Sequence, residues 1–575
     1  MSLLPPPKIQ TEKISKTVDI VGYEKEKEVA QARSQAGSNA LSGGIDLDAH
    51  AIADLREKNI PATDDSYKYN YAADGAGNYD FPDLQASIVA IRQESEFCSP
   101  ADQFGQTYGF ILDKTIFYAE AGGQQCDHGF ITGVDDDVCE FSVFDVQCRG
   151  GYILHIGRLE GRFAVGDKVR LSIDPVRRLG LMRNHTGTHV LNFAVRVVLG
   201  DTDQKGSLVA PEKLRFDFSA KRGMCPEELL RMEAICDSLL ESKVPVYATD
   251  VELSTARTIN GLRAVFGEVY PDPVRVVSIG IPVESLVNNP SGPGALHTSV
   301  EFCGGTHLLN VKHIGVLVIV SEEAIAKGVR RIVALTGSEG ERAKREACDL
   351  QAEVQELLSR IQNFTACSGY VNGDTSIDVD EFTSKFQNLN QSLGVLSAKV
   401  SQACISQVCR VRLRDVLSEA RKQLDDRDKL AKSTLATEVM ADARRLIESL
   451  TSDGNAKTQF IVHVFPGGAS AKAIHAALKL LERECPGTAV MALSPCSSTG
   501  KFVCLTQVPK NVVSCGLKAN EWVGSISTAM NGKGGGKDLF AQATGTRLDA
   551  LDEVIKLANQ FAREKLRGYP LEPVC

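Results

Sequence analysis

Two clips of the same pitch, His185-Thr186-Gly187-Thr188-His189 and Cys303-Gly304-Gly305-Thr306-His307, constrain this chain more than any other feature. Each sets two metal-binding side chains four residues apart. After the first, Val190, Leu191, Phe193, Ala194, Val197 and Val198 recur at helical spacing, so His185 and His189 are expected on one helix face. Before the second, Thr298 to Phe302 reads as a strand, and Gly304 and Gly305 let the backbone fold tightly. Three imidazoles and a thiolate suit tetrahedral zinc better than calcium or magnesium, which take oxygen ligands. A single i,i+4 histidine pair is more often an accident of surface or core than a site. The repetition of the step, in two Gly/Thr-rich settings, argues for a metal. One Zn2+ per chain, held by His185, His189, Cys303 and His307, is the expectation.

The chain of 575 residues is too long for a single core and should hold about three to five domains. Its balance of 43% hydrophobic and 24% charged residues is that of an ordinary globular protein rather than a disordered one. No apolar run approaches the ~20 residues that cross a bilayer, so no membrane partner is expected. The start, Met1 to Lys8, lacks the apolar stretch of a secretory signal, and the expected address is the cytoplasm. The 16 cysteines are dispersed without framework spacing, which fits free thiols in a reducing compartment. A net charge of -9 excludes nucleic-acid binding through an overall positive field. It leaves room for local phosphate contacts at Arg177, Arg178 and Arg183 ahead of the first clip, and at Lys327, Arg330 and Arg331 after the second.

Residues 1–83 read as linker with a helical patch at Tyr23 to Arg33 and another at Asp48 to Lys58. From 84 to 175, short runs of Val, Ile, Phe and Tyr separated by Gly and Asp predict a small β-barrel. Within it, Ala121-Gly122-Gly123-Gln124-Gln125 reads as a glycine-rich turn, weak as a phosphate loop because no helix clearly starts behind it. Residues 176–340 form an α+β core carrying the clips, with a helix at Pro226 to Ser242 whose first turn holds Glu227 and Glu228. The loop Asn288 to Gly294 reads as an insertion. In 341–455, apolar stripes at Val354, Leu357, Leu358, Ile361 and Phe364 and at Leu413, Val416, Leu417, Ala420 and Leu424 predict two long helices in a hairpin or coiled-coil arm. Residues 456–575 alternate strand and helix as a C-terminal α/β domain, with a glycine loop at 532–536. That loop departs from phosphate-loop spacing at Asn531 and Asp538, so it reads as a backbone cradle in which Lys533 and Lys537 meet RNA phosphates. The fold class is thus α+β and multidomain.

Beyond these patterns, the stretches Asn184 to Gly200, Gln204 to Lys221, Arg275 to Gly280, Ser299 to Leu308 and Ala324 to Gly337 resemble the editing domain of the alanyl-tRNA synthetase family, in its eukaryotic cytosolic form. Gly516 to Val523 and Gly532 to Gly545 are similar to that family's C-terminal, DHHA1-like tRNA-binding domain, and the section within residues 1–83 resembles the end of its tRNA-binding region, here a remnant beside linker. The resemblance implies a zinc-dependent deacylase that hydrolyses Ser-tRNA(Ala) and Gly-tRNA(Ala), with tRNA(Ala) as partner and a homodimer formed through the arm or the C-terminal domain. It implies catalytic roles for Gln204, Thr188 and Cys303, with Thr188 accepting the hydroxyl of a serine substrate, and RNA contacts at Arg177, Arg178, Lys533 and Lys537. No class II ATP-binding motif is recognised in the sequence, so an aminoacylation domain and alanine ligation are expected to be absent. The alternatives are a fragment of an alanine–tRNA ligase that charges tRNA(Ala) with ATP, and a non-catalytic tRNA-binding module.

Overall fold

The structure, a computed structural model, describes residues 44–134, 139–200, 202–265, 268–366, 379–452, 459–497 and 499–567. The helical patch expected at Tyr23 to Arg33 lies outside them. The chain divides into two compact units, Met1–Ala347 with Cys404–Cys409, and Cys348–Ala403 with Arg410–Cys575.

In the first unit, β1 (Leu84–Gln93), β2 (Thr107–Leu112), β3 (Gly129–Gly133), β4 (Glu140–Arg149), β5 (Tyr152–Glu160) and β6 (Lys168–Ile173) pair antiparallel in the order β1-β2-β5-β4-β3-β6. Pairing of β6 back onto β1, Leu84 opposite Leu171, closes the six into a barrel. Alternate residues point inward, so Ile88, Phe110, Ile131, Phe141, Val143, Leu159 and Leu171 fill its core. Each large side chain buried this way contributes about 1.5–3 kcal/mol relative to exposure.

The barrel leads directly into α1 (Pro175–Leu199). Asp174 caps it by accepting from the amides of Val176 and Arg177, Pro175 occupies the first turn, and Gly200 ends it at φ 83°. α1 packs against α2 (Pro226–Ser242) and against an antiparallel sheet in the order β7 (Gln204–Val209), β8 (Leu214–Ser219), β13 (Val329–Thr336), β12 (Leu317–Ala326). Val190, Leu191 and Ala194 join Phe216, Met232, Leu240, Ile319 and Ile332 in one core. A second sheet, β9 (Val246–Val251), β10 (Val274–Ile279) and β11 (Val300–Phe302), carries the second clip at its end. The expected Pro226 to Ser242 helix has the bounds read from its sequence, and Glu228 accepts from the Cys225 amide at 3.0 Å to cap it.

Among its described residues the arm contains three helices where two were expected: α3 (Gly337–Ala366), α4 (Val379–Gln402) and α5 (Gln407–Ser452). The missed helix has its own stripe, with Leu389, Leu393, Leu396 and Val400 buried. Ser406 ends the gap before α5 by accepting from the amide of Cys409. Within the second unit, Lys399 of α4 pairs with Glu353 of α3 at 2.5 Å, and Phe364 meets Phe382 at 4.9 Å between ring centres.

The α/β part of the second unit is a five-stranded sheet ordered β14 (Phe460–Val464), β15 (Ala489–Cys496), β16 (Lys501–Gln507), β18 (Phe540–Gly545), β17 (Lys533–Gly536), with β14 and β15 parallel. α6 (Ala471–Glu484) belongs to one core of this part, while α7 (Ala519–Ser527) and α8 (Leu551–Lys565) belong to the other. The fully buried Trp522 donates its indole N–H to the carbonyl of Ala558 at 2.9 Å. The glycine loop expected at 532–536 is instead β17, an edge strand whose Gly534 faces Ala543 of β18. Gly534 and Gly536 are needed there because the strands approach closely: a Cβ on Gly534 would lie 2.5 Å from that of Ala543, and one on Gly536 2.4 Å from Ala541 Cα. All described cysteines are free thiols, and no described helix is long and apolar enough to cross a membrane.

Candidate metal centre and its surroundings

The two clips meet. His185 and His189 project from one face of α1, while Cys303 and His307 come from the turn after β11, and the four ligand atoms lie within 4.8 Å of one another. Cys303 Sγ is 3.2 Å from His185 Nε2 and 3.3 Å from His307 Nε2. Zinc–sulfur and zinc–nitrogen bonds imply separations of about 3.5 Å between tetrahedral ligands, so this donor set and spacing fit such a metal. Burial alone would raise the Cys303 thiol, but the facing His185 and His307 pull it well below its ordinary range. His307 falls to about 3, through burial and the neighbouring His185. Burial also disfavours a proton on His189, yet Glu301 and the Cys303 sulfur outweigh it and raise the ring to about 9. The Cys303 thiolate and the neutral His307 are in the protonation states a metal requires, whereas His189 would have to give up its proton to a bound ion.

Gly305 is part of the same packing. A Cβ there would lie 2.0 Å from His185 Cε1, whereas the nearest atom to a Cβ on Gly304 is the Tyr69 hydroxyl at 3.9 Å. The glycine at 305 therefore makes room for a ligand ring. Three tyrosines of residues 69–79, a stretch read from sequence as linker, hold the turn from outside. Tyr69 donates to the Gly304 carbonyl and Tyr71 to that of His307, both at 2.7 Å, and the Tyr79 hydroxyl accepts from Leu309 N at 2.7 Å. Gln124 and Glu301, which were not among the expected site residues, lie beside two of the histidine rings. Gln124 Oε1 lies 2.7 Å from His185 Nδ1, and Glu301 Oε2 lies 3.8 Å from His189 Nδ1. The signal for Gln124 was its place beside the glycine pair of the 121–125 turn; Glu301 carried none beyond its nearness to Cys303.

The other expected site residues are placed differently. Thr188 donates to the carbonyl of Asn184 at 2.8 Å within its own helix and is 6% exposed, the usual use of a helix threonine. Gln204 opens β7, where its amide donates to Ser207 Oγ at 3.3 Å. Arg178 is 1% exposed, and its guanidinium serves Asp127 and the carbonyls of Ile116 and Lys68. No face of it remains for a phosphate, because a buried arginine without these partners would cost about 3–5 kcal/mol. Arg177 is partly exposed, donating to the Cys126 carbonyl at 2.9 Å. Arg183 donates to the His313 carbonyl at 3.2 Å, while Arg330 and Arg331 pair with Glu322 and Asp217. Lys533 and Lys537 are exposed at the two ends of β17.

Against known families, residues 8–177 match the family of class II (A) tRNA synthetases, residues 274–333 the second additional domain of threonyl and alanyl tRNA synthetases, and residues 457–564 the DHHA1 domain. The cytoplasmic alanine–tRNA ligase of Caenorhabditis elegans is 43% identical over 551 residues, covering 95% of this chain and 54% of that protein; that of Bombyx mori is 44% identical over 553 residues, covering 96% and 55%. Along nearly its whole length the chain is similar to alanine–tRNA ligases. It spans about half the length of the curated relatives it matches. The C-Ala domain of Aquifex aeolicus alanyl-tRNA synthetase aligns with 20% of this chain and 97% of that domain, at 20% identity and a TM-score of 0.17, too low to bear on the fold.

These matches correct two expectations. A class II synthetase segment was expected to be absent, and the match over residues 8–177 overturns that. The relationship is spread over 170 residues of linker and barrel, so the lack of a recognised nucleotide-binding signature did not exclude it. With it falls the reading of the chain as an editing deacylase, because the class II segment and the relatives named as ligases favour joining alanine to tRNA.

Proposed function

We propose that this chain works as part of an alanine–tRNA ligase, the activity that joins alanine to tRNA(Ala) using ATP. The observation that carries the reading is the class II (A) match at residues 8–177, in a chain aligned over nearly its whole length with relatives named alanine–tRNA ligase. Two of those names specify the cytoplasm, the address proposed here.

Within that activity the described residues hold the tRNA and a metal. Lys533, which opens the edge strand β17, and Lys537, which follows its end, with the partly exposed Arg177, are proposed to grip tRNA phosphates, where each neutralised phosphate releases counterions and adds affinity. His185, His189, Cys303 and His307 would hold zinc. Four protein ligands fill a tetrahedron, the arrangement of a structural site, and the bound ion would supply a crosslink between α1 and the turn after β11. Thr186 Oγ1 takes part from the protein side, accepting from Leu308 N at 3.0 Å and lying 3.3 Å from His307 Nδ1. A second copy is proposed to pair along the arm, where Val395 and Val416 are 65% and 40% exposed.

The test is charging of tRNA(Ala) with labelled alanine in the presence of ATP and magnesium, run with this chain alone and with the full polypeptide its own transcript encodes. Charging in either case supports the reading. Binding of the tRNA without charging in both overturns it and leaves a tRNA-binding module.

A further inference from the structure

The three histidine rings share an arrangement that their spacing does not announce. Each turns Nδ1 toward an oxygen: His185 to Gln124 Oε1 at 2.7 Å, His307 to Thr186 Oγ1 at 3.3 Å, and His189 to Glu301 Oε2 at 3.8 Å. Nε2 of His185 and of His307 is thereby left facing Cys303. Thr186 and Glu301 sit inside or beside the clips. Gln124 does not: it comes from the 121–125 turn between β2 and β3 of the barrel, and it is wholly buried.

The orientation of the Gln124 amide follows from its partners. Oε1 accepts from the Thr306 backbone N–H at 3.1 Å, and Nε2 donates to Thr306 Oγ1 at 2.9 Å. A flipped amide would aim its NH2 at a backbone donor, so the network fixes Oε1 toward His185. His185 then carries its proton on Nδ1 and keeps the Nε2 lone pair for Cys303 and whatever ion joins them. The turn itself is fixed to β7. Gln125 N donates to the Val209 carbonyl at 3.0 Å, Val209 N donates to that of Gly123 at 2.7 Å, and a Cβ on Gly123 would lie 2.4 Å from Ser207 Oγ.

We propose that Gln124 is a positioning residue for the metal centre, a barrel side chain that locks the tautomer and ring plane of His185 and ties that ligand to Thr306 beside His307. This rests on the reading of the cluster as a zinc site. It deepens that reading, because the four ligands alone would then make an incomplete site, completed only by a residue from the segment that matches the class II (A) family. Partners of this kind commonly alter metal affinity by about 10–100-fold.

The experiment measures zinc affinity at fixed pH, by competition with a chromophoric chelator, and records the cobalt(II) absorption spectrum, on the full chain and on four variants. The unaltered chain is expected to bind one zinc tightly. Gln124→Leu should weaken binding about 10–100-fold and alter the cobalt bands. Gln124→Glu, whose carboxylate accepts from the same two N–H groups, should restore most of the affinity. Gln125→Leu, in the same turn, should change neither. Thr306→Val removes only the acceptor of the Gln124 amide and should give a smaller loss, a second measure should Gln124→Leu fail to fold. Tight zinc and an unchanged cobalt spectrum in Gln124→Leu, or in Thr306→Val if Gln124→Leu does not fold, would overturn the inference while leaving the zinc site standing. No zinc in the unaltered chain would remove the zinc reading, and this inference with it.

Discussion

Cys303 to His307 and Lys533 to Lys537 look alike as sequence: a short glycine run with a reactive or charged residue at each end. In the structure they have little in common. The first is a ligand turn in which Gly305 lies under the ring of His185. The second is an edge strand whose glycines admit β18, with both lysines facing solvent. Neither run uses glycine for left-handed backbone; Gly304, Gly305 and Gly534 all lack positive φ. What they share is a need for close approach, in one case to a side chain and in the other to a neighbouring strand.

Substitutions can break that contrast, and the largest effect is expected at Gly305. Gly305→Ala puts a methyl group 2.0 Å from His185 Cε1 and should cost at least about 100-fold in zinc affinity, whereas Gly304→Ala should bind as the parent does; chelator competition separates the two. If Gly305→Ala keeps full affinity, the packing described for the ligand turn is wrong. Next comes Gly534→Ala, which meets Ala543 and the Gln542 carbonyl. It should destabilise the C-terminal sheet by about 1–3 kcal/mol, while Gly535→Ala, with open space around it, should leave urea midpoints unchanged. Replacing Lys533 and Lys537 by Ala together should leave folding alone, weaken tRNA binding and reduce the salt dependence of that binding by about one unit per lysine. Filter binding over a salt series reads this directly, and an unchanged slope removes both residues from the interface. The smallest effect is expected for Thr188→Val in the first clip. Its hydroxyl only repeats a bond to a helix carbonyl that already has a partner, so stability should change by less than about 1 kcal/mol, with zinc content intact.

The clustering of the three histidines with Cys303 was legible because both its signals are local: a four-residue step in each clip, with helical periodicity behind one and a strand before the other. The barrel was legible for the same reason, in runs of alternating Val, Ile, Phe and Tyr. What sequence could not supply were the partners brought in from far along the chain. Gln124 reaches His185 across 61 residues and Tyr71 reaches His307 across 236, and no period in the sequence encodes such meetings. Thr188 and Arg178 show the converse. Their residue types suggest chemistry, but a helix carbonyl and a buried aspartate satisfy them first. In the arm, attention to two stripes hid the third, although Leu389, Leu393, Leu396 and Val400 were spaced to show it.

The tyrosine contacts on the ligand turn set a boundary for anyone who cuts this protein into pieces. A fragment begun at Leu84 would keep the whole barrel, both clips and Gln124. It would nonetheless lack Tyr69, Tyr71 and Tyr79, and with them the bonds to Gly304, His307 and Leu309. The stretch ahead of the barrel, folded on itself where Ala72–Ala73 pairs with Tyr79–Asp80, thus acts as a strap across the turn that carries Cys303 and His307, and the smallest unit able to keep that turn in shape begins upstream of Tyr69.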